Sequence, residues 1–198
     1  MHGLSEVIAI AGGDTQSLAV RHDGSVWAWG FTAGETVTTA QRVSGLSNVA
    51  AIVSGSTHSM ALKRDGTAWA WGRNQFGQIG DGTDEDRFAP VQVRGIADVA
   101  WVAVGFGTSY AVLADGTLWA WGLGTLPEPG KVDGLFGMTS VESQALADHV
   151  LALRDDGVLW AWGRNVEGQL GDGTTGGARE TPGRVIGLDG VAVPEAGP

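Results

Sequence analysis

Four histidines, 22 carboxylates and nine tryptophans are the first side chains in this sequence to weigh for chemistry. A metal ion would need nitrogen, sulfur or oxygen donors converging at close spacing. His22, His58 and His149 are far apart, with no i,i+4 pair and no clustered carboxylates beside them. No metal site is expected of them, and His58 reads as a hydrogen-bonding partner for a neighbouring loop. Gly80-Asp-Gly-Thr-Asp-Glu-Asp86 is dense in oxygen donors of the kind calcium takes. It lacks the glycine and terminal glutamate spacing of an EF-hand loop, and the corresponding Gly171-Asp-Gly-Thr-Thr175 is not acidic. A solvated turn is the better reading. Without cysteine there is no disulfide or thiolate ligand. No nucleophile elbow, phosphate loop or plausible Ser/His/Asp set is visible. We therefore expect no enzymatic activity, no catalytic residues and no cofactor.

The tryptophans must be placed by something periodic. One eight-residue string occurs four times: Asp23-Gly-Ser-Val-Trp-Ala-Trp-Gly30, Asp65-Gly-Thr-Ala-Trp-Ala-Trp-Gly72, Asp115-Gly-Thr-Leu-Trp-Ala-Trp-Gly122 and Asp156-Gly-Val-Leu-Trp-Ala-Trp-Gly163. Their aspartates stand 42, 50 and 41 residues apart. A fixed period of this size marks a repeat architecture. Ser17-Leu-Ala-Val20, Ser59-Met-Ala-Leu62, Ser109-Tyr-Ala-Val112 and Val150-Leu-Ala-Leu153 precede the four copies. Only the second and fourth are followed by the long string, Arg73-Asn-Gln-Phe-Gly-Gln-Ile-Gly-Asp-Gly-Thr83 and Arg164-Asn-Val-Glu-Gly-Gln-Leu-Gly-Asp-Gly-Thr174. Long and short repeats thus alternate, as an older duplicated pair would leave them.

Within a repeat, Ser59 to Lys63 and Thr67 to Trp71 alternate in polarity or size around Arg64-Asp65-Gly66. Two alternating runs around Asp-Gly predict a hairpin, here expected as a type I′ turn. Period-2 geometry puts Trp69 and Trp71 on one face and Ala68 and Ala70 on the other. A bulky face beside a small one is what stacked sheets require. An apolar run such as Val99 to Val104 adds a strand, and the stretch after Gly72 is expected to add an outer one. No helical period is present. The fold class is therefore all-β: four tandem β-propeller blades of three to four antiparallel strands, at roughly 3–45, 46–95, 96–134 and 135–193, with 194–198 a frayed tail. Trp27, Trp29, Trp69, Trp71, Trp119, Trp121, Trp160 and Trp162 are expected in the blade core. They recur identically, whereas a binding surface would vary from blade to blade. Trp101 stands outside the pattern.

The Ser-x-Ala-Leu, Asp-Gly-x-x-Trp-x-Trp-Gly and Asn-x-x-Gly-Gln-Leu-Gly-Asp-Gly-Thr strings resemble the repeat of the regulator of chromosome condensation family, and their even spelling resembles bacterial members. The resemblance covers nearly the whole chain and implies a propeller, usually of seven blades. The founding eukaryotic member is an exchange factor for a small GTPase through a wedge inserted in one blade. No such insertion appears here, so exchange or GTPase regulation is the alternative function. A photoreceptor member uses a Gly-Trp-Arg-His-Thr element, and Gly55-Ser-Thr-His-Ser59 lacks its Trp-Arg. A member that inhibits β-lactamases implies that the scaffold can act purely as a binder.

We accordingly expect a non-catalytic protein-interaction scaffold presenting loops from a rigid propeller. Contacts are expected from the variable loops before one strand of each blade, at Asp14, His58, Phe106 and Gln144. The alternative surface is the opposite loops, including Phe76 and Val166. A formal charge of −10 with scattered cations argues against nucleic acid and anionic membranes. No signal-peptide pattern or 18-residue apolar run is seen, which makes the cytoplasm the default location. Four blades leave an open arc with a Trp-rich face, so a homodimer or closed homo-oligomer is expected. A self-assembling or engineered fragment without a foreign ligand is the remaining alternative.

Overall fold

The computed structural model describes residues 3–32, 34–143 and 149–188. They form four antiparallel sheets, each a meander in chain order, with no helix among the described residues. Sheet 1 contains β1 Val7–Gly12, β2 Gln16–Arg21, β3 Val26–Thr32 and β4 Glu35–Arg42. Sheet 2 contains β5 Val49–Ser54, β6 His58–Lys63, β7 Ala68–Gly72 and β8 Arg87–Gln92. Sheet 3 contains β9 Val99–Val104, β10 Thr108–Leu113, β11 Leu118–Gly122 and β12 Gly130–Lys131. Sheet 4 contains β13 Met138–Ser143, β14 His149–Arg154, β15 Leu159–Arg164 and β16 Ala178–Arg184. The protein is all-β, built from propeller blades.

Each Asp-Gly hairpin has a different turn from the one its sequence suggests. Gly66 N–H donates to the Lys63 carbonyl and Lys63 N–H to the Thr67 carbonyl. Only Gly66 has positive φ, at 76°. That is a three-residue loop, a type I turn closed by a left-handed glycine, rather than type I′. The aspartate does the remaining work: Asp65 Oδ1 accepts from Thr67 N (3.1 Å) and Thr67 Oγ1 (2.6 Å). The hydroxyl oxygen then accepts from Trp69 Nε1 at 3.1 Å. The glycine-punctuated stretch after Gly72 is likewise a loop, and the outer strand follows it at Arg87.

The small face of each sheet receives the tryptophan face of the next. Val20, Val26 and Ala28 pack with Trp69 and Trp71. Met60, Ala68 and Ala70 pack with Trp119 and Trp121. Val112, Leu118 and Ala120 pack with Trp160 and Trp162. These three seams hold the apolar core. Large side chains filling a shallow neighbouring face bring the packing to interior density, and burial of each indole removes a large apolar area from water. Hydrogen bonds join the hairpins to the next sheet: Val49 N to Gly24 O, Val99 N to Gly66 O and Met138 N to Gly116 O.

Candidate functional site

In a meander, the loops after the first and third strands share one end of the sheet, and the loop after the second lies at the other. This geometry gathers loops 13–15, 55–57 and 105–107 together with 73–86, 123–129 and 165–177. Phe76 and Val166 therefore lie at the same end as Asp14 and Phe106, not at the opposite one. A Cβ placed on Gly107 would meet the Phe76 ring at 2.7 Å. The loops also bind one another. Thr57 Oγ1 donates to the Phe106 carbonyl at 2.7 Å, and Gln16 Nε2 to Ser59 Oγ at 2.8 Å.

Asp14 is exposed at this end, and Phe106 is 41 % exposed. Gln144 lies outside the described residues, as do the tail 194–198 and the rest of its loop, 144–148. His58 does not reach the surface. It is fully buried, with Nε2 at 2.7 Å from Ser109 Oγ and Nδ1 at 3.2 Å from Thr57 Oγ1. Desolvation pushes its pKa down to about 3, so the ring is neutral at pH 7. Its place is between two blades, where it positions the loops that carry Thr57 and Phe106. Sequence reasoning missed this burial because its partner lies on another repeat.

Exposed apolar residues collect at the same end: Phe31, Phe88, Leu123, Leu126 and Val166 besides Phe106. Between the first two sheets a cleft of about 520 Å³ is lined by Phe31, Phe88, Asp14, Arg73 and Thr57 among others. Rings beside two carboxylates, Asp14 and Asp86, and two guanidinium groups, Arg73 and Arg87, suit a side chain or peptide segment of mixed polarity.

Three of the four carboxylates in the acidic loop, Asp81, Glu85 and Asp86, are spent internally. Asp81 Oδ1 accepts from Thr83 N and Oγ1, and Asp81 Oδ2 accepts from Arg87 Nε at 2.6 Å. Asp86 Oδ1 accepts from Asn74 N at 2.8 Å. Burial raises the Asp81 pKa, but the Thr83 and Arg87 hydrogen bonds outweigh it and hold the carboxyl below its ordinary value. Buried Asn74 bridges the loop, accepting from Ile79 N and donating to the Thr83 carbonyl. Asn165, Asp172, Thr174 and Arg179 repeat the arrangement in sheet 4. Among the described residues no group of three or more His, Asp or Glu is placed to hold a metal.

Of the paired tryptophans, Trp71, Trp121 and Trp162 are buried and the others partly so. Trp101 is half-exposed on an inner strand and donates from Nε1 to the Val141 carbonyl at 2.9 Å.

Comparisons with known proteins agree with this geometry. A family profile described as the regulator of chromosome condensation (RCC1) repeat matches residues 65–114 and 156–195, and a second profile of the same description matches 49–78. No curated protein sequence matches. Human WBSCR16 superimposes with a TM-score of 0.81 at 22 % identity, over 93 % of this chain and 54 % of that one. Prp20p from Saccharomyces cerevisiae, described with its binding properties to Gsp1p and histones, gives 0.77 at 26 % identity over 90 % and 50 %. The computationally designed Ika4 protein gives 0.54 at 20 % identity, over 82 % and 94 %. The chain spans about half the length of the first two.

Proposed function

This chain belongs to the regulator of chromosome condensation repeat family, and on that footing we propose that it is a non-catalytic protein-interaction scaffold whose loop end contacts its partner. The observation that carries the reading is the gathering of exposed Phe31, Phe88 and Phe106 with Asp14 and Arg73 at one end of a rigid array. Binding surfaces draw on aromatic anchors ringed by polar groups. The protein relative described by its binding to Gsp1p and histones supports a protein as the partner. The two longest connections, 73–86 and 165–177, are loops braced on their own Asn and Asp, which supports a scaffold over an exchange factor with an inserted wedge. We propose further that the chain self-associates into a closed assembly.

The test is selection of binding peptides on the wild-type chain, followed by affinity measurement on variants. Phe88→Ala and Phe106→Ala should each weaken binding at least about tenfold, the loss of a central aromatic anchor. Phe136→Ala, exposed at the other end, should leave it unchanged. Equal losses from all three, or from Phe136 alone, would put the partner elsewhere.

A further inference from the structure

The seam between sheets 2 and 3 is built around one carbonyl. Ser109 Oγ donates to the Gln78 carbonyl at 2.8 Å and Trp121 Nε1 donates to it at 2.9 Å. His58 Nε2 stands 2.7 Å from Ser109 Oγ. All four residues are fully buried. The long loop of sheet 2 supplies the carbonyl, and its shape is fixed by Gln78 Oε1 accepting from Phe76 N. Gly80 makes room for the indole, since a Cβ there would lie 2.6 Å from Trp121 Nε1.

Sheet 4 carries the same half of this seam. Gln169 Oε1 accepts from Glu167 N as Gln78 does from Phe76 N, Gly171 stands where Gly80 does, and His149 opens β14 as His58 opens β6. Among the described residues no sheet covers it, and the Gln169 carbonyl accepts nothing. Leu151, Leu153 and Leu159 occupy the register positions of Met60, Leu62 and Ala68, yet they are half-exposed where the latter are buried.

Sheet 1 carries the other half. Ser17 pairs with Trp29 across β2 and β3 as Ser109 pairs with Trp121 across β10 and β11. Neither Ser17 Oγ nor Trp29 Nε1 makes a hydrogen bond among the described residues. Ile10 sits opposite Ala19 as Val102 sits opposite Ala111. Val102 is 4 % exposed and Ile10 77 %.

The two open faces are therefore the two sides of an interface that the chain already builds within itself. We propose that two copies associate head to tail, sheet 1 of one seated on sheet 4 of the other, with Ser17 Oγ and Trp29 Nε1 donating to the Gln169 carbonyl of the facing copy. The contact is made twice and closes a ring of eight sheets. This rests on the self-association proposed above and gives it a surface. Pairing two sheet 1 faces instead would oppose indoles to indoles and leave the Gln169 carbonyl of both copies without its donors.

Light scattering on the wild-type chain at micromolar concentration should give twice the monomer mass. Ile10→Glu and Leu151→Glu should each give the monomer, with an unchanged far-ultraviolet spectrum for Ile10→Glu. Their equimolar mixture should recover the doubled mass, because one unaltered contact remains. Where Leu151→Glu fails to fold, single-cysteine chains replace it, the protein having no cysteine of its own. A short bismaleimide should link a mixture of Ile10→Cys and Leu151→Cys chains, and neither alone. A wild-type monomer would end both the self-association and this surface. A dimer that survives Leu151→Glu, or Ile10→Cys chains that link efficiently to themselves, would end the head-to-tail surface alone.

Discussion

Val158 interrupts a hydrogen-bond chain that the other three blades complete, and replacing it with threonine should stabilise the protein. In sheets 1 to 3 the aspartate of the hairpin accepts from a hydroxyl at 2.6 Å, and that hydroxyl accepts from the first tryptophan at 3.0–3.1 Å. At the fourth hairpin the residue is valine. Its N–H still donates to Asp156 Oδ1 at 3.1 Å, but Trp160 Nε1 is buried without a partner. An unpaired buried donor costs about 1–3 kcal/mol. Val158→Thr keeps the β-branched shape and stiff χ1 that strands favour. It gives up one methyl at a partly buried site, about 0.8 kcal/mol at most. It gains the indole bond and a hydroxyl bond to a charged acceptor. The net is about 1–2 kcal/mol in favour of the variant, or about 2–8 °C in Tm for a chain of this size.

Urea unfolding followed by tryptophan fluorescence at pH 7 measures it, provided the m-value is unchanged. Thr67→Val is the mirror experiment in sheet 2 and should cost about the same amount. Arg154 also pairs with Asp156, but Lys63 pairs with Asp65 without displacing Thr67, so the added hydroxyl is compatible with the cation. If Val158→Thr were neutral while Thr67→Val destabilised, the orphaned indole would have no cost and the reasoning would fail.

Gly80→Ala should destabilise by about 3 kcal/mol, because φ is +75° there and the new Cβ would drive Trp121 off the Gln78 carbonyl; chemical denaturation reads the loss. Asn74→Ala should cost about 2–3 kcal/mol by leaving Ile79 N–H and the Thr83 carbonyl unpaired in a buried loop, and thermal unfolding checks it. His58 supplies a pH dependence. Its folded pKa is depressed to about 3 from 6.5, so the unfolded chain takes up a proton that the folded one refuses. Stability from this group is full above pH 6.5 and is lost on acidification toward pH 3, with a slope approaching about 1.4 kcal/mol per pH unit. His58→Gln should flatten that slope in urea titrations between pH 7 and pH 5, above the range in which the hairpin aspartates titrate.

The sheet order and the tryptophan seams were legible because they are local: alternation, the Asp-Gly breaks and the Trp-Ala-Trp pairs sit within fourteen residues of each other. The turn type is not legible in the Asp-Gly pair, which is compatible with two hairpin loops; only the length of Arg64-Asp65-Gly66 separates them. Phe76 lies at the other end from the one expected, because the outer strand begins at Arg87, after the 73–86 loop rather than inside it. Variation of the loop before β6 points to His58 as a surface contact, yet the side chain is fully buried. What buries it is Ser109, 51 positions away, which no local pattern announces. One signal is present in the sequence: Val158 is the single departure from Ser or Thr after the Asp-Gly pairs that open the four Trp-Ala-Trp strings.

The alternation of long and short repeats explains Trp101, which no repeat pattern accounts for. Seam 1–2 joins across Gln16 Nε2 and Ser59 Oγ, and seam 2–3 across Ser109 Oγ and the Gln78 carbonyl. In sheet 4 the equivalent serine position is Val150, so seam 3–4 loses its hydroxyl, and sheet 3 has no long loop to offer a carbonyl. Trp101 supplies the missing bond from the inner strand, donating to Val141 O, and Tyr110 meets Trp162 edge-on with ring centres 6.3 Å apart. Each seam thus adds at least one directional side-chain contact to the hairpin hydrogen bond that all three share, and the location of the side-chain contact changes. Apolar stacking alone would tolerate sliding of one sheet on another. A hydrogen bond to a fixed carbonyl does not, and the seams that carry one set the register in which the loop end is assembled.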